Sequence, residues 1–167
     1  AMGRTTGWIA LGGGLASYAD AILVPERPVS REALKQHLLK LKNSGRRGAM
    51  VVVGEGAHFE NESARVAFRV EGSMQAERLG GVSQDISRWI EKETGWESRH
   101  VVLGHLQRSR HPTTTDRFMT AAMGVEVGRM VLENDWGKAV VMRDGLITRA
   151  PLSDLMKPAR LVDGEHR

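Results

Sequence analysis

The sequence predicts an α/β domain, a three-layer lobe in which helices cover both faces of a mainly parallel sheet. Three observations carry this. Short apolar runs at 21–24 and 50–53 and within 98–103 have the length and composition of strands buried on both faces. Segments with apolar residues at helical spacing separate them, notably Leu34, Leu38 and Leu41, then Ile86, Trp89 and Ile90. No internal repeat breaks the alternation.

In chain order, the first helix lies within Gly3 to Ser17, where Trp8, Ile9, Leu11 and Leu15 recur near helical spacing. Gly12, Gly13 and Gly14 weaken it intrinsically, so close packing against a neighbouring backbone is expected there. Ala21 to Val24 is the first strand, ended by Pro25. Ser30 caps a helix over Arg31 to Lys42. Gly45 and Gly48 bracket an arginine turn, and Met50 to Val53 is the second strand, running into Gly54-Glu55-Gly56. Residues 57–81 read as an insertion or excursion from the core, within which the alternation from Arg65 to Val70 fits a half-buried strand. Ser83 caps a helix over Gln84 to Glu93, which Gly95 stops, and Ser98 to Leu103 is the third core strand. A long helix runs from Asp116 to Leu132 with Thr113, Thr114 and Thr115 at its start and Asp116 at the favourable end of the dipole. Ala139 to Met142 is a strand, and Asp144-Gly145 a tight turn into Leu146-Ile147. One lobe is therefore expected over residues 1–157, with a loosely held polar tail over 158–167.

At 167 residues and 41% hydrophobic content the chain suits a single domain, and a chain of this length buries roughly 70% of its extended surface. Cysteine is absent, which excludes disulfides, thiolate metal sites and cysteine nucleophiles. No apolar run approaches membrane-spanning length and no basic-then-apolar leader opens the chain, so a soluble cytoplasmic protein without a membrane partner is expected. The net charge of +4 comes from arginines spaced by apolar segments and lacking interleaved aromatics, which argues against nucleic acid as a partner. A small anionic ligand fits better, since it needs only a few arginines converging in a pocket.

Ligands of parallel α/β sheets bind beyond the carboxyl ends of the strands. That rule puts Glu55, Gly56 and the stretch from His105 to Arg108 at one rim. Glu55 between glycines suits acceptance of hydrogen bonds from sugar hydroxyls, and equally suits a plain turn. His105 and Arg108, three apart after a strand, suit a phosphate, and equally a carbonyl contact and a surface ion pair. His105 and His111 have no cysteine or second histidine at ligand spacing, so no metal site is expected. Ser109 lacks the surroundings of a nucleophile. No Walker loop, dinucleotide-binding glycine loop or acid–base carboxylate pair is present. The residues alone describe a binder of anions and no chemistry.

Several pieces together carry a resemblance. MGRTTGWIAL at Met2 to Leu11, ADAILVPE at Ala19 to Glu26, GEG at 54–56, ETGWESR at 93–99 and LGHLQRSRHPTTTDR at Leu103 to Arg117 follow one another in the order and near the spacing of the C-terminal half of the 6-phosphofructokinase family. The chain resembles that half up to about Leu152. The resemblance implies a two-lobed α/β enzyme of glycolysis, a kinase that transfers a phosphoryl group from ATP to the 1-hydroxyl of fructose 6-phosphate. Met2, Gly3 and Arg4 match the segment touching the sugar phosphate, with Arg4 stabilising the transferring group. Glu55 matches the glutamate on the sugar hydroxyls, and His105 and Arg108 the pair holding the 6-phosphate. Arg99 matches an arginine that reaches the site of a neighbouring subunit. Glu26, Arg46 and Arg47 resemble remnants of the bacterial effector site, while Ser44 stands where a further arginine would complete it. Ser109-Arg110 replaces the family's paired glycines after the Gln-Arg, and the stretch from His58 to Gly81 is longer than in short bacterial members.

The resemblance also implies what this stretch lacks. The donor-binding glycines and the catalytic base belong to the N-terminal lobe, so the chain is expected to be inactive alone and to carry no bound cofactor. Mg²⁺ with ATP, or with pyrophosphate in related enzymes, would act in the full-length protein, as a homodimer or homotetramer. The alternatives are half of a pyrophosphate-dependent phosphofructokinase, or a stand-alone sugar-phosphate-binding module without catalysis.

Overall fold

The computed structural model describes residues 1–64, 66–69 and 77–163. They fall into two compact units, one of the described residues up to 108 with 160–163 and one of 109–159. The boundary after Arg108 lies inside the stretch that the sequence reads as a single lobe.

The first unit is a three-layer arrangement on a parallel pair of strands. Helix α1 (Trp8–Ala16) leads into β1 (Ala21–Leu23), α2 (Arg31–Asn43) and β2 (Val51–Val53). Strands β1 and β2 run parallel, with Ala21 opposite Val51 and Leu23 opposite Val53. Alternation along β1 sorts the faces. Ile22 and Val24 meet α1, where Gly14 and Gly7 leave just enough room for them. Leu23 faces the other way, into a core with Leu34 and Leu38 of α2, Val53, Ala57, Phe59, and Ile86 and Ile90 of α3 (Val82–Thr94). Of the three glycines in α1 only Gly14 packs closely; a side chain at Gly12 or Gly13 would meet nothing.

Local signals account for some helix ends. Ser30 Oγ accepts from Ala33 N and starts α2 as expected. Gly95 ends α3 in the left-handed region at φ 63°, donating its N–H to Glu91 O. The start of α3 differs from expectation: its cap is Gly81 at φ 82°, and Ser83 lies inside the first turn.

Between these elements, β3 (Val66–Arg69) and β4 (Glu77–Leu79) pair antiparallel within the expected excursion. The alternation from Arg65 to Val70 lies partly outside the described residues. The opening of this stretch is core, not excursion. Phe59 is 4% exposed, bridges in parallel to Val29, and meets Trp89 edge-on at 5.1 Å. Arg31 lies over the Phe59 ring at 4.0 Å while pairing with Glu62.

Ser98 to Leu103 does not form the expected third strand. A cavity of about 680 Å³, lined by Val51, Val53, Ile86, Ile90, Trp96 and Leu103 among others, lies between this segment and β2. The far edge of β2 is met at its carboxyl end by the N-terminal segment instead. Ala21 N donates to Met50 O and Gly54 N to Leu23 O, so the even-numbered backbone groups face β1. The odd-numbered ones face the far edge, and there Val53 O and Glu55 N are taken by Ala1.

The described end of the expected loose tail is docked. Trp8 Nε1 donates to Arg160 O at 2.7 Å, and Val162 is 7% exposed with its N–H on Glu26.

The second unit holds α4 (Thr114–Leu132), β5 (Lys138–Arg143), β6 (Leu146–Pro151) and the short α5 (Leu152–Leu155). Thr113 and Asp116 form a reciprocal capping box at the start of α4. Strands β5 and β6 make an antiparallel hairpin whose turn, Asp144 and Gly145, has φ of 51° and 79°, as the sequence expects. Arg149 on β6 binds Glu126, Glu133 and Asp135 together, and these three carboxylates raise its already high pKa further. Along α4 only Met130 is buried; Phe118, Val125, Val127, Val131 and Leu132 are exposed. No helix of the described residues is long and apolar enough to cross a membrane.

Candidate functional site

At the carboxyl end of β2 the segments bearing Met2 to Arg4, Glu55, and His105 to Arg108 come together. After Val53 the chain turns through Gly54-Glu55-Gly56, and the N-terminal segment lies against that turn. Glu55 N donates to Ala1 O at 2.8 Å and Gly56 N to Gly3 O at 3.1 Å. The contact tolerates no side chain at Gly56, because a Cβ there would overlap the Arg4 carbonyl oxygen. Met2, Gly3 and Arg4 are thereby fixed beside Glu55, and Arg4 and Glu55 are both half-buried.

A third segment closes on the first. Gly104 to Arg108 forms a short 3₁₀ helix, and Gln107 Oε1 accepts from Met2 N at 2.8 Å. Residues three apart eclipse in a 3₁₀ helix, so His105 and Arg108 leave its backbone from the same side. Both are exposed. The segments bearing Arg4, Glu55, His105 and Arg108 are thus linked by hydrogen bonds, the one to the last segment through the Gln107 side chain, across 105 residues of sequence. This half-open rim combines guanidinium forks, an imidazole and a carboxylate. Such a set suits a ligand carrying both an anionic group and hydroxyls.

Arg99 stands apart from this rim. It is exposed, pairs with Glu97, and lines the cavity between β2 and α3 together with Arg47 and His100. The expected effector remnants do not converge either. Arg46 binds Asp20, just before β1, whereas Glu26 lies just after that strand. Glu26 instead ties two main-chain segments together. Its carboxylate accepts from Gly7 N at 2.9 Å, at the start of α1, and from Val162 N at 3.0 Å. Partial burial alone would raise its pKa, but the backbone bonds from Val162, Gly7 and its own amide outweigh that and hold it below the ordinary 4.5.

Glu26 therefore makes a testable contribution to pH stability. Its folded pKa is depressed, so the stabilisation is present above about pH 4.5 and is lost as pH falls through the lowered value. Thermal melts should show Glu26→Ala costing about 2 kcal/mol at pH 7, the value of charge-assisted hydrogen bonds. The difference should shrink at acid pH. A cost that stays constant with pH would assign it to packing instead.

Sequence reasoning assigns Gln107 no role, since its bond to Met2 is long-range and leaves no local pattern. The same holds for the docking of Val162 on Glu26. Among the described residues no group of three or more His, Asp or Glu side chains is placed to hold a metal ion.

Comparison with known proteins gives a consistent result. Residues 1–131 match the family model described as phosphofructokinase. The chain is 37% identical over 167 residues to the pyrophosphate–fructose 6-phosphate 1-phosphotransferase of Thermoproteus tenax, covering 98% of this chain and 46% of that protein. It is 32% identical over 165 residues to the ATP-dependent 6-phosphofructokinase of Spirochaeta thermophila, covering 99% and 45%. Among solved structures it resembles the pyrophosphate-dependent phosphofructokinase of Marinobacter aquaeolei, with TM-score 0.75 and 26% identity over 98% of this chain and 40% of that one. The chain spans about half the length of the curated relatives it matches.

Proposed function

The chain belongs to the phosphofructokinase family, and we propose that it supplies the sugar-phosphate-binding half of a 6-phosphofructokinase. The observation that carries the proposal is the joining of Met2–Arg4, Glu55 and the Gly104–Arg108 turn at the carboxyl end of β2. In this reading His105 and Arg108 hold the 6-phosphate of fructose 6-phosphate, Glu55 accepts from the sugar hydroxyls, and the backbone of Met2 and Gly3 lines the pocket. Arg4 lies where the phosphoryl group passes to the 1-hydroxyl and neutralises its growing charge. The 1-hydroxyl oxygen forms the new bond to phosphorus, the bond to the donor breaks, and the hydroxyl proton leaves to a base in the other half. Arginines suit this work because their planar fork matches phosphate oxygens in pairs.

The donor is ATP or pyrophosphate, and relatives of both kinds match at similar identity. Mg²⁺ would accompany the donor. The other half of the enzyme is the first partner. The exposed apolar residues of α4 are a surface that half would cover. We further propose a cytoplasmic glycolytic enzyme acting as a homodimer or homotetramer, with Arg99 reaching a neighbouring subunit.

Calorimetric titration tests the reading on the chain itself. Fructose 6-phosphate should bind more weakly than to a full-length enzyme, and His105→Ala with Arg108→Ala should weaken it at least about tenfold, from two lost charge-assisted contacts. Binding that ignores both substitutions would defeat the assignment. Assay of the full-length protein with ATP against pyrophosphate then settles the donor.

A further inference from the structure

We propose that Gln107 is a positioning residue: its side-chain carbonyl holds the Met2–Arg4 segment against the turn that carries His105 and Arg108. The inference rests on the sugar-phosphate reading of this rim and adds to it the element that keeps its two arms in register.

The Met2–Arg4 segment is held from two sides. On one, Gly56 N binds Gly3 O and the bare Cα of Gly56 abuts the Arg4 carbonyl, which ties the segment to β2. On the other, Met2 N donates to Gln107 Oε1 at 2.8 Å in a partly buried setting. The first contact places Arg4 relative to Glu55. The second places Arg4 relative to His105 and Arg108, because Gln107 lies between those two residues in the same short helix. That helix is a short 3₁₀ segment, a form with weak internal bonds. An outside tie therefore matters more for it than for a residue on a long α-helix.

The residue type fits this role. A main-chain N–H needs an acceptor within reach, which leucine of similar size cannot offer. Glutamate would accept the bond but would set a negative charge between His105 and Arg108, where an anionic group is to bind. Glutamine is the acceptor that adds no charge. Because a small misplacement of a reacting group lowers rate steeply, the tie acts on kcat through Arg4 as well as on sugar affinity.

The test compares Gln107→Leu and Gln107→Glu with the unaltered protein. Amide exchange at Met2 is read on this chain, fructose 6-phosphate affinity by calorimetry, and kcat and KM on the full-length enzyme. Gln107→Leu is expected to speed Met2 exchange about tenfold or more, to weaken fructose 6-phosphate by about tenfold, and to lower kcat by about tenfold beyond that. Gln107→Glu should keep Met2 protected yet bind the sugar phosphate more weakly, with the loss relieved by added salt. Should Gln107→Leu fail to fold, Gln107→Asn, which is too short to reach Met2, is expected to give the same loss. Unchanged affinity and kcat in a folded Gln107→Leu protein would overturn the proposal, as would unchanged Met2 exchange. If the unaltered chain and enzyme bind no fructose 6-phosphate while Met2 exchange still responds to Gln107, it is the sugar-phosphate reading that fails, and the tie is then purely structural.

Discussion

Gly56→Ala is expected to lower stability by about 3 kcal/mol or more and to displace the Met2–Arg4 segment. The cost follows from what the new Cβ meets. It would overlap the Arg4 carbonyl oxygen, with the carbonyl carbon 2.8 Å and Pro25 Cγ 3.1 Å away. Main chain cannot rotate aside as a side chain can, so relief requires the two segments to part. Parting breaks Gly56 N to Gly3 O and strains Glu55 N to Ala1 O. Overpacking of this kind costs about 1–3 kcal/mol, and each lost hydrogen bond about 1 more. Two other glycines serve as controls. At Gly54 the nearest atoms would be 3.3 Å away, so alanine there should be tolerated with a smaller loss. At Gly12, inside α1 with nothing within 4 Å, alanine should stabilise by about 0.5–1 kcal/mol through helix propensity. Chemical denaturation of the three variants checks the series. Equal effects at Gly56 and Gly12 would mean that the contact with Arg4 does not exist in solution.

The parts of this molecule that the sequence makes legible are those specified by neighbouring residues. Two apolar runs form β1 and β2, the Ser30 cap and the Thr113–Asp116 box start their helices, and Asp144-Gly145 turns its hairpin. Each depends on a few adjacent side chains and on backbone preference. The misreadings share the opposite property. The run at 101–103 has strand composition, yet it forms no strand, and the carboxyl end of the β2 edge is met by Ala1. Periodicity reports which face is apolar and is silent about what lies across from it. Phe59 and Ala57 fall in a stretch without periodicity and still reach the core, since Val29 draws Phe59 into a bridge. Resemblance groups Glu26 with Arg46, yet the Glu26 carboxylate serves amides 19 residues earlier and 136 later. For the candidate site, the strand-end rule holds at Glu55 after β2, whereas at His105 and Arg108 it leans on a strand that does not form, so those two and Arg4 rest on the motif. Gln107 and the crowding at Gly56 need three-dimensional placement to emerge.

The second large effect is kinetic and concerns Arg4. In the full-length enzyme, Arg4→Ala is expected to lower kcat by about 10²–10³-fold, the usual cost of removing one preorganised donor from a developing anion. The KM for fructose 6-phosphate should change by less than about tenfold, because a group that acts on the transferring phosphoryl adds little to ground-state sugar binding. Arg108→Ala should show the reverse, raising KM strongly with a smaller change in kcat, since the 6-phosphate is bound equally before and during transfer. The placement of the two residues motivates the contrast: Arg4 is half-buried with its main chain clamped at Gly56, whereas Arg108 is exposed on the adjoining turn. Arg4→Lys should recover part of the rate, as a single ammonium keeps the charge but loses the planar pair of donors. The measurement is steady-state kinetics with the phosphoryl donor saturating, following formation of the doubly phosphorylated sugar. An Arg4→Ala enzyme that loses affinity in full while keeping kcat would make Arg4 a binding residue only. Matching profiles for Arg4→Ala and Arg108→Ala would dissolve the division of labour between the two arms of the rim.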